Sequence, residues 1–369
     1  MIGHGWGMLL SCREFILEGK RKKKTMTAED RREFIRSLPL ADIHRHFDGS
    51  CRPETLWELS EKYYSAVPGL DFDQFRHYLS WDDSLDNTLL DYLDKFHVPL
   101  QYTQFYDNIR RISYEIAEDA YNDGIRLLEL RMNPLIHRRA GLTTRQVIAA
   151  TRKGFSNFGR EHPDFRAGIV VIAMRNHGGN MARLLLREVV GEMEAYHDGV
   201  GVVGFDIAGH EAPFPPILFK DAYALATRMG LKKTAHAGES EGPERIWEAL
   251  EYLDPQRIGH GTSAGQDEEL IRRLAKDGVY LEVCLSSNVQ TGAIDELKNH
   301  PLPRFLEAGV KVALCTDNPT VSSTSLSREY ELAMEAFGFS EADVVELARM
   351  SCAGTFLAAG CHCRFPAGG

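Results

Sequence analysis

The sequence offers no apolar run of the ~20 residues that a membrane-spanning helix needs. It also lacks an excess of positive charge: 43 Lys and Arg stand against 53 Asp and Glu, a net charge of -10. A surface of that sign repels phosphate backbones and anionic membranes, so neither is expected as a partner, whereas a small neutral substrate is compatible with it. Cysteine is present but unpatterned. Cys12, Cys51, Cys284, Cys315, Cys352, Cys361 and Cys363 are odd in number and hold no pair of CxxC motifs, so neither a disulfide framework nor a thiolate zinc cluster is expected. Cys284 and Cys315 lie in apolar runs and read as small buried hydrophobes. Cys361 and Cys363 flank His362 in a stretch without periodicity, so 358–369 reads as an unstructured tail. A reducing cytoplasm suits this cysteine usage. A signal-peptide core is missing too: Met8-Leu9-Leu10 is too short, and the basic run Lys20-Arg21-Lys22-Lys23-Lys24 follows it instead of preceding it. The Lys, Arg, Glu and Gly residues before Met26 have purine-rich codons, as a translated ribosome-binding site would. Met26 is therefore expected to be the natural start, and residues 1–25 an unstructured extension.

What the chain does have is apolar content, 43% of residues, enough for a large core. Eight short apolar runs read as strands: Leu40–His46, Arg126–Arg131, Ala167–Met174, Val202–Ile207, Lys233–His236, Arg257–His260, Val279–Leu285 and Lys311–Thr316. Between most of them lie amphipathic helical patterns, among them Arg183–Tyr196, Ile217–Arg228, Glu244–Leu253, Glu268–Lys276 and Leu302–Ala308. Eight βα repeats favour a closed parallel (β/α)8 barrel, here one domain over 26–357. Only the first interval is long. Residues 47–125 read as an insertion carrying helices Pro53–Lys62, Asp71–Leu79, Leu85–Phe96 and Gln101–Asn122, and an insertion after strand one sits at the C-terminal mouth as a helical cap. Helices Glu329–Phe337 and Glu341–Phe356 complete the chain.

Four residue groups fall at strand C-terminal ends, where barrel enzymes keep their catalytic side chains. His44-Arg45-His46 on strand one places two imidazoles on one face, because side chains two apart in a strand share a face. His236-Ala237-Gly238-Glu239 follows strand five, with a third imidazole, a glycine that permits a tight turn, and a carboxyl suited to carrying a proton. Gly259-His260-Gly261 ends strand six, and Thr316-Asp317-Asn318-Pro319 ends strand eight with a hard oxygen donor. Each pattern alone has a bland counterpart: surface histidines, a glycine-rich turn, a helix-capping aspartate. Their joint placement points to one zinc ion held by His44, His46, His236 and Asp317 plus a water. Strand four, Val202 to Gly209, contains no lysine that could bridge a second metal. Arg131, Glu129 and His177 read as structural, as ion pairs in preference to pocket lining.

The sequence resembles the adenosine deaminase family. The resemblance rests on Asp42-Ile-His-Arg-His-Phe-Asp-Gly-Ser50, Gly204-Phe-Asp-Ile-Ala-Gly-His-Glu211, His236-Ala-Gly-Glu239, Arg257-Ile-Gly-His-Gly261, Ser286-Ser-Asn-Val-Gln-Thr-Gly292 and Thr316-Asp-Asn-Pro319, in order from about Leu38 to Phe356. It implies zinc-dependent hydrolytic deamination of adenosine and 2′-deoxyadenosine to the inosine product and ammonia. The zinc ligands would be His44, His46, His236 and Asp317. Glu239 would donate a proton to purine N1, and His260 would orient or deprotonate the attacking water. His46, Asp48, Gly209 and Asn318 would face the substrate: Asp48 the ribose, the Gly209 backbone the purine edge, and Asn318 the purine N7. Asn318 stands where many members carry a second aspartate. Its NH₂ can donate to an acceptor nitrogen without any change of protonation, so the departure is compatible with purine binding. Alternative substrates of the same chemistry are adenine, aminodeoxyfutalosine or a modified adenosine; a non-catalytic binding member is the remaining alternative. The HxE and PCxxC elements of single-strand nucleic-acid deaminases are absent.

Overall fold

The computed structural model describes residues 26–63, 65, 70–86, 88–193, 200–357, 363 and 365. The described residues contain eight strands: β1 (Leu40–His46), β2 (Ile125–Met132), β3 (Arg166–Met174), β4 (Val202–Ala208), β5 (Lys232–Ala237), β6 (Arg257–His260), β7 (Tyr280–Val283) and β8 (Lys311–Leu314). All neighbouring pairs are parallel, in the order β1 to β8. A single parallel bridge, Arg45 to Asp317, brings the last strand back to the first. There the His46 N–H donates to the Asp317 carbonyl at 2.7 Å and the Asp317 N–H to the His44 carbonyl at 2.9 Å. The expected (β/α)8 barrel is the observed fold. Its strands are buried almost end to end, as parallel strands covered on both faces must be.

Local sequence explains the surrounding helices. Thr143 and Gln146 form a reciprocal capping box that starts Thr144–Glu161, and Ser340 with Asp343 does the same for Glu341–Ala353. Glu268–Asp277 stops at left-handed Gly278. Among the described residues no helix is long and apolar enough to cross a membrane.

The insertion differs from expectation in its last third. The stretch read as helices Leu85–Phe96 and Gln101–Asn122 contains three helices, Leu89–Asp94, His97–Tyr102 and Tyr106–Asn122. The capping box of Thr88 with Asp91 delays the first, and the chain breaks at Thr103–Phe105 before the last. Tyr106–Asn122 is a helix of the barrel's outer ring, not part of the cap. It packs along Thr144–Glu161, with the Tyr114 and Phe158 rings 5.4 Å apart, because its buried stripe (Ile109, Ile112, Ile116, Ala120) faces the barrel. The earlier part meets the chain that follows β8. The Trp81 N–H donates to the Val321 carbonyl at 2.7 Å, and Tyr92 Oη meets Ser322 Oγ at 2.6 Å, both in the segment after β8.

Two further boundaries move. Strand seven ends at Val283, and the chain turns directly into a helix, Leu285–Gln290. The apolar run through Leu285 carries no glycine or proline to mark that change. At the C-terminus the tail is not wholly unstructured: Cys363 forms a disulfide with Cys352, and Phe365 packs under the Arg349 guanidinium at 4.7 Å. Two half-cystines eleven residues apart give no signal in sequence. Cys51, Cys284 and Cys315 are free and buried, as expected for the latter two. Residues 1–25, Cys361, His362 and positions 194–196 of the expected helix Arg183–Tyr196 lie outside the described residues.

Candidate active site

His44, His46, His236 and Asp317 converge at the C-terminal mouth, with one donor atom from each lying within 4.8 Å of all the others. His46 Nε2 is 3.3 Å from His44 Nε2, 3.3 Å from His236 Nε2 and 3.2 Å from Asp317 Oδ1. Metal–ligand bonds of about 2.0–2.1 Å put neighbouring donor atoms about 3 Å apart, so these edges have the length that ligands of one ion require. The remaining ring nitrogens explain which lone pairs point inward. His44 Nδ1 lies 2.9 Å from Glu282 Oε2 and His236 Nδ1 2.8 Å from Asp206 Oδ2. Each carboxylate holds a proton on Nδ1 and leaves Nε2 as the donor, a common arrangement behind metal-binding imidazoles. Asp317 is held by Ser287 Oγ–H at 2.6 Å. The residues therefore fit a metal ion.

Beneath the cluster lies a buried charge network. Arg131, wholly buried, donates to Asp206 at 2.7 Å and to Glu282. Arg257 donates to Glu129 at 2.6 Å and forms an ion pair with Glu282 at 2.6 Å. Arg131 and Glu129 are thus ion-paired, as expected, and His177 is solvent-exposed. Burial opposes ionisation of Asp206 and Glu282, but His236 with Arg131 at the first, and Arg131 with Arg257 at the second, outweigh it and hold both carboxyls below their usual range. Arg131→Met would strand two buried carboxylates without their shared cation. It is expected to cost about 3–5 kcal/mol in urea unfolding of the metal-loaded protein; a loss under about 1 kcal/mol would mean the network carries little.

Beside the cluster, within 4.8 Å of Asp317 and His260, stands Glu239. Gly238 has φ +68°, the left-handed turn that swings the next side chain inward, and a Cβ there would lie 2.4 Å from Ser263 Oγ. Glu211 fixes this turn by accepting the Gly238 and Glu239 N–H groups at 3.0 Å each. Burial, then the charges of Asp317 and Glu211, raise the Glu239 carboxyl well above the usual carboxylate range. Its Oε1 lies 3.6 Å from His260 Nε2. His260 and Asp317 are both non-glycine residues with φ of +60°. Strain of about 1–3 kcal/mol per residue is kept where neighbouring structure over-determines it, often at functional sites. Burial and the adjacent His44 lower the His260 pKa well below its ordinary value, so the ring is neutral.

The residues implied for the substrate side lie around the same mouth. Asp48 follows β1 in a short helical turn, Asp48–Ser50, and burial raises its carboxyl to about 7. Its Oδ1 faces His137 Nε2 at 3.4 Å, and neither atom has a hydrogen-bond partner. His137 is kept neutral by burial, which lowers its pKa to about 3. Gly209 follows β4 with φ +102°. Asn318 packs on Gly49, where a Cβ would fall 2.0 Å from its Oδ1, and that oxygen has no partner. Sequence reasoning missed Asp206, Glu282, Glu211, Ser287 and His137. The signal for Glu282 is a lone carboxylate in the apolar run Val279-Tyr-Leu-Glu-Val283; Asp206 and Glu211 lie within the family motif Gly204–Glu211.

The family model described as adenosine deaminase matches residues 39–363, nearly nine-tenths of the chain and all of the site. The chain belongs to the adenosine deaminase family. Members are hydrolytic aminohydrolases, and the His and Asp cluster accords with the family's metal dependence. The chain is 34% identical to an adenosine deaminase of Clostridium kluyveri over 311 residues, 84% of this chain and 87% of that one. Among solved structures it resembles an adenine deaminase from Arthrobacter aurescens, with TM-score 0.79, 26% identity and coverage of 87% and 94% of the two chains. It also resembles the Arabidopsis N6-mAMP deaminase, with TM-score 0.77, 28% identity and coverage of 88% and 96%.

Proposed function

We propose that this deaminase hydrolyses adenosine and 2′-deoxyadenosine to the inosine product and ammonia, with one zinc ion held by His44, His46, His236 and Asp317. The observation that carries the reading is a donor set of three imidazoles and one carboxylate with a buried carboxyl beside it: Glu239 lies within 4.8 Å of Asp317 and His260, and its burial favours the protonated form. That set suits zinc, and zinc bound there supplies the Lewis acidity that makes water nucleophilic near neutral pH. The chain's own residues do the rest. Glu239 gives its proton to N1 as C6 becomes tetrahedral. Of the water's two protons, one reaches the leaving amino nitrogen through Glu239 and the other restores Glu239; the oxygen stays on C6. His260 orients the water on the face of the ring that C6 presents. Asn318 meets N7, the Gly209 backbone meets the purine edge, and Asp48 takes a sugar hydroxyl, which favours a nucleoside over free adenine. The test is ammonia release from adenosine, 2′-deoxyadenosine, adenine, aminodeoxyfutalosine and cytidine, with zinc measured on the same sample. Rapid release from the two adenosines at about one zinc per chain supports the proposal; release from another compound alone overturns the substrate, and no release with full zinc overturns the reaction.

Glu211 gives a second handle. The active form needs Glu239 protonated, so activity is present below its pKa and is lost as pH rises through it. Glu211→Gln removes a negative charge beside Glu239 and one of the two acceptors of the turn. The alkaline limb of kcat/KM is expected to move down by about one pH unit, with kcat reduced about tenfold. A pH profile unchanged in position would separate Glu211 from the protonation of Glu239.

A further inference from the structure

The hydrogen bonds behind His260 run in one direction and begin at a group whose direction is fixed. Leu302 opens the helix Leu302–Glu307, so its backbone N–H has no partner within that helix. It donates to His300 Nδ1 at 3.0 Å. A backbone amide cannot accept, so that nitrogen is a lone pair. His300 is buried, and burial lowers its pKa to about 3, which leaves one ring proton, on Nε2. His300 Nε2 lies 3.3 Å from Asn288 Oδ1. This sets the orientation of the Asn288 amide, itself fully buried, and turns its NH₂ toward His260 Nδ1 at 2.9 Å. His260 Nδ1 is therefore an acceptor, and the proton of the neutral ring sits on Nε2, the atom that faces Glu239 and the pocket.

We infer that His300 and Asn288 are positioning residues that fix the His260 proton on Nε2, so that His260 meets the attacking oxygen as a hydrogen-bond donor and not as its base. Taking up a proton at Nε2 would first require the ring to carry its hydrogen on Nδ1. There it would point at an amide NH₂, and reversing that amide would set a second NH₂ against the His300 N–H. What lies in front of Nε2 rests on the function proposed above; the tautomer itself does not.

The experiment uses the protein loaded with zinc alone and labelled with ¹⁵N-histidine. Nitrogen shifts distinguish protonated from unprotonated ring nitrogens whether or not adenosine is the substrate. The expected spectrum has His260 and His300 protonated on Nε2. In Asn288→Asp the carboxylate accepts from both rings, so the His260 proton moves to Nδ1 and a lone pair faces the pocket. Since placing a catalytic imidazole in its wrong tautomer has cost on the order of 10⁴ in kcat in a serine protease, a fall of at least about 10²-fold is expected here, with KM nearly unchanged. His300→Phe removes the N–H that orients the amide and lowers kcat, whereas His300→Gln keeps a donor at that reach and restores it. A wild-type His260 protonated on Nδ1 overturns the inference, as does a shifted tautomer in Asn288→Asp with unchanged kcat. Should Asn288→Asp not fold, the wild-type spectrum and the His300 pair still decide.

Discussion

Glu239→Gln is expected to lower kcat by about 10³-fold while zinc content stays near that of the parent protein. Glutamine has nearly the shape of glutamate, and the turn around position 239 is held through its backbone N–H by Glu211, so the side chain should stay where it is. What the amide lacks is an acidic proton that can be given up and regained within a turnover. The loss should fall on kcat and kcat/KM together, the pattern of an interaction made only in the transition state. Substrate binding measured by KM should move little. Steady-state ammonia release alongside metal analysis reads both quantities. A variant that keeps full kcat would remove Glu239 from the proton path; one that loses zinc would mean that the carboxyl also supports the cluster.

His236→Ala is expected to lower zinc content and activity in step. The imidazole at 236 contributes one donor, and its loss also strands Asp206, whose Oδ2 is 2.8 Å from His236 Nδ1. Replacing groups that only orient a ligand commonly costs 10–100-fold in metal affinity. Removing the ligand should therefore exceed about 100-fold, and Asp206→Asn should fall between that variant and the parent. Zinc titration against a competing chelator gives the affinities. Full occupancy with full turnover in His236→Ala would overturn the ligand set.

Much of this site was readable before any coordinates, for a physical reason. His44 and His46 fall on one face because side chains in a strand alternate, and His236, His260 and Asp317 each end an apolar run with a turn signal. Local periodicity therefore placed five side chains at one mouth of the barrel, and the order of eight βα units supplied the fold that brings them together. What could not be read was everything that depends on contacts across the barrel. Glu282 supports His44 from a strand 238 residues further on, and Arg131 meets both Asp206 and Glu282 from the second strand. No local pattern marks these partners; a charged residue within a buried strand says only that a partner must exist somewhere. The same holds for Asn288 and His300, one in a helix hidden at the end of an apolar run, the other in a loop. Tyr106–Asn122 was misread as cap for a different reason. Its periodicity was right, but whether an amphipathic helix covers a mouth or a flank depends on which neighbour its stripe meets.

The barrel closes through one bridge, between Arg45 and Asp317. Those residues are flanked by, or are themselves, the proposed metal donors: His44 and His46 stand on the first strand, and Asp317 follows the last. The site is thus written at both ends of the fold, separated by nearly the whole domain in sequence, and contacts of such long range are the slowest to form. During synthesis the two early imidazoles are made long before their carboxylate partner, and the helix that supplies Ser287 comes only shortly before it. No partial chain that stops short of the eighth strand holds the complete donor set. Activity therefore begins only with the closing of the ring, and chains cut off during synthesis stay silent however well their first strands have folded.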